Sequence, residues 1–164
     1  MRSIITTRQA TRLFALALLT LALGFVQAQA KSDFTGTWKL NAGKSDFGPI
    51  PPPDSVTMKI AHQEPSIKSN VATTGGPNGD MAYDVSYTTD GKECVNHMGE
   101  NELKSTLKWD GEDLAIDSKG SFGGADFTAK GRWNLSGDGK TLTITQHYTS
   151  TMGEADVKEV FEKQ

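Results

Sequence analysis

A rhythm of short alternating segments separated by two-residue turns constrains this chain more than any other feature. Hydrophobic and polar residues alternate with a period of two over 81–87, 103–109 and 125–135, which is typical of strands with one buried face. Asp90-Gly91 and Asp110-Gly111 follow such segments, and both residue types tolerate the backbone conformations of tight hairpins. Because no stretch of residues 31–164 has convincing helical periodicity, the sequence predicts a meander of antiparallel strands.

Consecutive hairpins leave a sheet with two exposed edges unless the sheet closes on itself. Residues 31–164 contain a single cysteine, Cys94, so no intrachain disulfide can join two packed sheets. We therefore predict an all-β, up-and-down antiparallel barrel of about 8–10 strands, with a β-sandwich as the alternative. The segment 155–164 fits either a closing strand or a helix. The connection 41–53 is rich in proline, which predicts an extended crossing with one 3₁₀ turn within 42–47.

The first 30 residues are predicted to be an export signal and not part of the fold. Three arginines lie before an apolar run over 13–26, and Ala28-Gln29-Ala30 supplies a small-x-small cleavage pattern. The run is short for a bilayer span of roughly twenty residues, and a retained N-terminal anchor is the alternative. Cleavage after Ala30 leaves 31–164 as one domain without a membrane span, in the periplasm or outside the cell.

The charge balance argues against two classes of partner, nucleic acids and anionic membranes. The whole chain has 17 Lys and Arg against 20 Asp and Glu, and the predicted signal contains three of the arginines and no acidic residue. The remaining domain is acidic and its lysines are scattered singly, which gives no basic surface for nucleic acid or for an anionic membrane. Cys94 is predicted to be a small buried residue, with a redox or nucleophilic role or an interchain disulfide as the alternatives.

The first predicted strand carries a short motif, Phe34-Thr-Gly36-Thr-Trp38-Lys-Leu40. Its aromatic residues, Gly36 and Leu40 share one parity, so Trp38 is predicted to point inward and close one end of the barrel. A Gly-x-Trp on the first strand of an exported meander resembles the signature of lipocalin and fatty-acid-binding (calycin) barrels. With Lys44-Ser-Asp-Phe-Gly48 and the prolines of 51–53, the motif more closely resembles uncharacterised exported lipocalin-like proteins of bacteria.

The resemblance implies a barrel that binds a small molecule, but some family features lack a match. Fatty-acid-binding proteins have a helix pair after the first strand, where this chain has its proline-rich connection. They also bind carboxylates with arginines on late strands, whereas Arg132 is the only arginine after the signal and its parity is opposite to that of Trp133. The lipocalin arginine that packs on the signature tryptophan is approximated only by Lys158 or Lys163.

No arrangement of residues predicts catalysis, a metal or a cofactor. His62, His97 and His147 are far apart in the sequence and have no further ligand at a recognisable spacing. No serine lies in a Gly-x-Ser-x-Gly context, and the glycine-rich segment 75–79 lacks the following helix of a phosphate-binding loop. His62 shares the parity of apolar Met58, so it is the one histidine predicted to point inward.

The inward parity of four predicted strands defines a candidate ligand cavity. Aromatic and apolar walls with a few polar groups are typical of small-molecule pockets, and the alternative is that the same side chains fill the core. The candidates are Met58, His62, Tyr83, Tyr87, Phe127, Trp133, Gln146 and Tyr148. We therefore predict a non-enzymatic barrel for an apolar or amphipathic ligand; the alternative is a cell-envelope interaction or structural module with a filled core.

Overall fold

The computed structural model describes residues 31–76, 79–122 and 124–164, and the predicted export signal, residues 1–30, lies outside them. Ten antiparallel strands run through the described residues. They are β1 (Gly36–Leu40), β2 (Ser55–Gln63), β3 (Ser66–Gly76), β4 (Gly79–Thr88), β5 (Asp90–Met98), β6 (Asn101–Asp110), β7 (Asp113–Phe122), β8 (Ala125–Leu135), β9 (Thr141–Ser150) and β10 (Gly153–Lys163).

One sheet contains all ten strands, in the order β4-β3-β2-β1-β10-β9-β8-β7-β6-β5. Apart from β4 and β5, strands that follow one another in the sequence are neighbours in the sheet, and β1 pairs with β10, the last strand. This nearly closed up-and-down barrel confirms the predicted fold class over the sandwich, and the C-terminal segment is a closing strand. The Asp110-Gly111 hairpin is also confirmed, since Gly111 adopts a φ of 67° between the paired strands β6 and β7. Asp90 and Gly91 instead lie at the start of β5, which does not pair with β4.

The end of the barrel where β1 begins is filled by aromatic side chains. Trp38 and Phe34 are both fully buried, and the Trp38 Nε1–H donates to the Phe34 carbonyl oxygen at 2.9 Å. The β1–β10 register pairs Trp38 with Lys163, whose Nζ lies 5.3 Å from the centre of the tryptophan ring. Lys163 therefore takes the position over the signature tryptophan that the resemblance assigns to an arginine, and it makes a cation–π contact.

Gly36 makes room for that lysine. A Cβ at Gly36 would lie 2.6 Å from Lys163 Cε, and the glycine has a φ of 152°, which L side chains rarely adopt. The glycine of the Gly-x-Trp motif thus leaves space for a lysine side chain, and the motif as a whole is structural.

A seam separates the two strands at the ends of the sheet order. No ladder of backbone pairs joins β4 to β5 within the described ranges, although the two strands are consecutive in the sequence. The buried side chain of Asn96 bridges them, because its Oδ1 accepts from the Ser86 N–H at 2.7 Å and its Nδ2 donates to the Ser86 carbonyl at 3.1 Å. The Thr88 N–H donates to Cys94 Sγ at 3.3 Å nearby. Side chains of β5 therefore replace part of the missing ladder.

Asn96→Leu is expected to lower the free energy of unfolding by about 2 kcal/mol, because two hydrogen bonds to the Ser86 backbone are lost together. Urea unfolding measures this loss, and faster hydrogen exchange at the Ser86 amide should accompany it. Asn70→Leu is the control: Asn70 lies on β3 and its side chain bonds to the exposed Asp84 side chain, so its replacement should change stability by less than about 0.5 kcal/mol. Equal effects of the two substitutions would contradict the bridging role of Asn96.

Candidate ligand cavity

The half of the barrel away from Trp38 is hollow. A cavity of about 340 Å³ is bordered by inward side chains from every strand except β1, a volume within the range of about 300–1,000 Å³ found for small-molecule sites. The fully buried residues Ile67, Leu107, Leu114 and Leu142 do not border it, and they fill the closed half. The inside of the barrel therefore has two parts: a packed half around Trp38 and a hollow half beyond it.

The proline-rich connection forms one wall at the mouth of this cavity. Its 3₁₀ turn, Ala42–Lys44, confirms that detail of the sequence prediction. Beyond the turn, Phe47, Ile50, Pro51 and Pro53 border the cavity. This segment takes the place in the chain where fatty-acid-binding proteins have their helix pair.

The connection is fastened to the sheet on both sides of the mouth. Asp46 exchanges two backbone hydrogen bonds with Lys158 of β10, at 2.8 and 2.7 Å, and the Asp54 N–H donates to the Thr74 carbonyl of β3 at 2.9 Å. Between these ties the Ile50 N–H donates to the Phe47 carbonyl at 3.0 Å. Four of the intervening residues are prolines without a backbone donor, so this part of the wall is held mainly by side-chain packing.

The structure places seven of the eight candidate residues around the cavity. They are Met58, Tyr83, Tyr87, Phe127, Trp133, Gln146 and Tyr148. Two pairs of rings are in contact: Tyr87 with Trp133, with 6.2 Å between ring centres, and Phe127 with Tyr148, with 6.0 Å. The eighth candidate, His62, is not among the residues that border this cavity.

His62 lies at the closed end of the barrel, because the inward face of β2 continues past the floor of the cavity. Its Nδ1 accepts from the Phe34 N–H at 3.4 Å, so its Nε2–H donates to Glu64 Oε1, with 3.0 Å between Nε2 and Oε1. The ring also stacks on Trp109, with 6.1 Å between ring centres. His62 is therefore a packing residue beneath the cavity and does not border it.

Glu64 accepts hydrogen bonds from several polar groups around that histidine. Partial burial opposes ionisation of its carboxyl, but hydrogen bonds from Lys31, His62, Thr89 and Trp109 outweigh the burial and lower its pKa to about 2. The Trp109 Nε1–H lies 2.9 Å from Glu64 Oε1. An ionised Glu64 thus ties the N-terminal segment, β2 and the β6–β7 hairpin together at the closed end.

The cavity contains polar groups that the candidate set did not include. The Oγ atoms of Ser105 and Ser118 lie 2.8 Å apart, and Ser118 borders the cavity. Ser69, which is 2% exposed and also borders it, has a hydroxyl without a hydrogen-bond partner in the described structure. The cavity therefore offers hydroxyl groups as well as apolar contacts.

Glu159 is the most informative residue that the candidate set missed. It borders the cavity from the inward face of β10, between the buried side chains of Val157 and Phe161. Burial raises the pKa of its carboxyl to about 7. The available signal was its parity, because it alternates in phase with Val157 and Phe161.

The basic side chains of the described residues lie outside this cavity. No Lys, Arg or His occurs among the described residues that border it. Arg132 lies on the outer face of β8, where it binds Asp113 at 3.1 Å and also contacts Asp110. The arginine clamp for carboxylates in fatty-acid-binding proteins thus has no counterpart at Arg132, as its parity indicates.

The remaining candidate chemistry lies on the surface. His97 is exposed, and the exposed ring of His147 bonds to Asp156 at 2.7 Å. In the described ranges, no three His, Cys, Asp or Glu side chains are grouped as a metal site requires. Within the same ranges no helix has the length and hydropathy needed to cross a bilayer. Cys94 is a free cysteine, partly buried against the core.

Comparisons with known proteins identify the fold. No family model and no curated protein matches the sequence. Among solved structures, zebrafish ileal bile acid-binding protein with cholic acid is 18% identical and has a TM-score of 0.58, over 81% of this chain and 100% of that one. A secretory abundant heat soluble protein from Ramazzottius varieornatus is 13% identical with a TM-score of 0.55, over 83% and 98%. The fatty acid binding protein of Schistosoma mansoni with arachidonic acid is 12% identical with a TM-score of 0.50, over 80% and 96%. The chain therefore has a β-barrel fold like that of these proteins.

Proposed function

We propose that this barrel binds a small apolar or amphipathic molecule in its hollow half and does so without catalysis. The observation that carries the proposal is the cavity of about 340 Å³, closed at the Trp38 end and walled by aromatic and apolar side chains. Shape and burial of apolar surface supply the binding energy in such a site. The alternative of an interaction module with a filled core has less support, because the half of the barrel away from Trp38 is hollow.

The solved neighbours add support of a general kind. Two of them are described with cholic acid and with arachidonic acid, and both ligands combine an apolar body with a polar group. The proposal takes from them the use of the barrel interior and leaves the identity of the ligand to the residues of this chain.

The proposed location is the periplasm or the cell exterior, and the sequence of residues 1–30 supports it. Export fits a protein that collects a poorly soluble molecule outside the cytoplasm. The oligomeric state is open, and an interchain disulfide through Cys94 remains a prediction.

A titration with N-phenyl-1-naphthylamine, an uncharged dye that fluoresces in apolar surroundings, tests the proposed function. The mature protein should bind the dye saturably. Ala129→Phe should weaken binding about tenfold or more, because Ala129 is buried at the cavity wall and a phenyl ring there occupies the dye's space.

Ala82→Phe is the matched control, since Ala82 is exposed on the outer face of β4. It should leave dye affinity unchanged, and circular dichroism should show that both variants retain the fold. A parent protein that does not bind saturably, or a folded Ala129→Phe variant that binds as well as the parent, would overturn the proposal.

A further inference from the structure

The charged residue inside the cavity indicates the kind of polar head group that a ligand carries. Glu159 is the only charged residue among the described residues that border the cavity. Its strand neighbours on the inward face are Val157 and Phe161, and across the sheet it pairs with Ile144 of β9, another buried apolar residue. The carboxyl group is therefore surrounded by apolar side chains along its own strand and across to β9.

No side chain of the described structure compensates this carboxyl group by a hydrogen bond or an ion pair. The lysines of β10 are directed elsewhere, because Lys158 is exposed on the outer face and Lys163 lies over Trp38 at the closed end. A carboxylate in apolar surroundings without a partner is costly. This cost is removed either when the carboxylate takes up a proton or when a ligand supplies a cation.

Aromatic residues border the same cavity as Glu159. Tyr83 and Tyr87 on β4 and Tyr148 on β9 are the titratable groups that share the cavity with it. Burial, and after it the charge of Glu159, raises the pKa of Tyr83 and of Tyr148. All three phenols stay neutral at physiological pH, and their ring faces attract cations.

Neighbouring amide and hydroxyl groups complete the polar part of this wall. The Tyr148 hydroxyl donates to Gln146 Oε1 at 2.5 Å, which leaves the phenol oxygen free to accept. Gln146 pairs with Val157 on β10, one inward position away from Glu159. A donor-rich cation thus meets a carboxylate, a phenol oxygen and aromatic faces, whereas a ligand carboxylate meets a like charge with no cation in reach.

We propose that the cavity takes an organic cation: an amphiphile whose protonated amine lies against Glu159 and whose apolar body fills the space between the strands and the proline-rich connection. This inference rests on the proposed function and specifies its ligand class. The anionic ligands described for the neighbouring structures would be disfavoured in this barrel.

Displacement of N-phenyl-1-naphthylamine by three ligands with one chain length tests the inference. Dodecylamine, dodecanol and dodecanoate differ only in the head group, and each is used below its aggregation concentration at pH 8. Dodecylamine should bind about tenfold or more tightly than dodecanoate, with dodecanol between them. Lowering the pH from 8 to 6 should weaken dodecylamine binding about tenfold, because protonation of a carboxyl with a pKa of about 7 removes the charge. Dodecanol binding should not change.

Glu159→Gln keeps the shape of the side chain and removes its charge. It should weaken dodecylamine binding about tenfold or more and abolish the pH dependence, while dodecanol and the dye bind as before. Glu154→Gln, at an exposed position on the same strand, is the control and should change neither.

The possible outcomes separate the two proposals. If the dye binds saturably but dodecanoate competes as well as dodecylamine, or Glu159→Gln leaves dodecylamine affinity unchanged, the cationic ligand class is overturned and the proposed function stands. If the parent protein binds neither the dye nor any of the three ligands, both proposals are overturned.

Discussion

Trp38→Ala is expected to lower the free energy of unfolding by about 3–5 kcal/mol, the range for removing a large aromatic side chain from a packed core. The ring is fully buried, its Nε1–H is bonded to the Phe34 carbonyl, and the Lys163 ammonium lies over its face. Alanine loses the buried ring, the hydrogen bond and the contact with Lys163, and it leaves a void in the packed closed end. Urea unfolding followed by circular dichroism measures the change.

Trp38→Phe provides the comparison for this prediction. It keeps most of the ring volume and loses the indole hydrogen bond, so a smaller loss of about 1–2 kcal/mol is expected. Dye affinity of the folded variants should match that of the parent, because Trp38 does not border the cavity. An alanine variant as stable as the parent would contradict both the buried position of Trp38 and the register of β1.

The second large effect concerns Glu159 in the absence of ligand. Its carboxyl has a pKa of about 7 in the folded protein against an ordinary value of 4.5, so the folded state holds the proton more tightly than the unfolded state. The free energy of unfolding therefore falls progressively as the pH rises from about 4.5 to about 7, and this loss of stability is complete above pH 7. It amounts to about 3 kcal/mol at pH 8.

Glu159→Gln removes this penalty and should be more stable than the parent by about 3 kcal/mol at pH 8. The difference should vanish near pH 4, where the parent carboxyl is protonated in both states. Urea unfolding of the two proteins at both pH values measures it, and Glu154→Gln should show no such pH-dependent difference. A glutamine variant that is less stable than the parent at pH 8 would mean that the carboxylate has a stabilising partner in the folded protein.

The sequence predicts the fold well because alternation and turn chemistry are local signals. The period of two over 81–87 and 125–135 places Tyr83, Tyr87 and Phe127 inward, and the structure agrees. The same parity places His62 inward, yet parity carries no information about depth along the barrel axis. The inward face of β2 runs from the mouth to the closed end, so Val56 borders the cavity and His62 packs below it.

Glu159 and Asn96 show a different limit of sequence reasoning. The alternation of β10 places Glu159 inward, but an acidic residue is usually exposed, and a pattern cannot distinguish a hollow interior from a packed one. Asn96 bridges a seam that exists because β4 and β5 do not pair, and strand pairing depends on the curvature of the whole sheet. The register between β1 and β10 decides that Lys163, and not Lys158, is the partner of Trp38.

The most direct test of ligand binding inside the barrel uses the methionine methyl groups. Met58, Met81 and Met98 border the cavity, whereas Met152 is 85% exposed outside it. Mature protein labelled with ¹³C at the methionine methyls is titrated with dodecylamine and with N-phenyl-1-naphthylamine, and the resonances are assigned by single substitutions to leucine. Saturable shifts of Met58, Met81 and Met98 with an unchanged Met152 are predicted. Saturable binding that leaves these three resonances in place would contradict the cavity as the binding site.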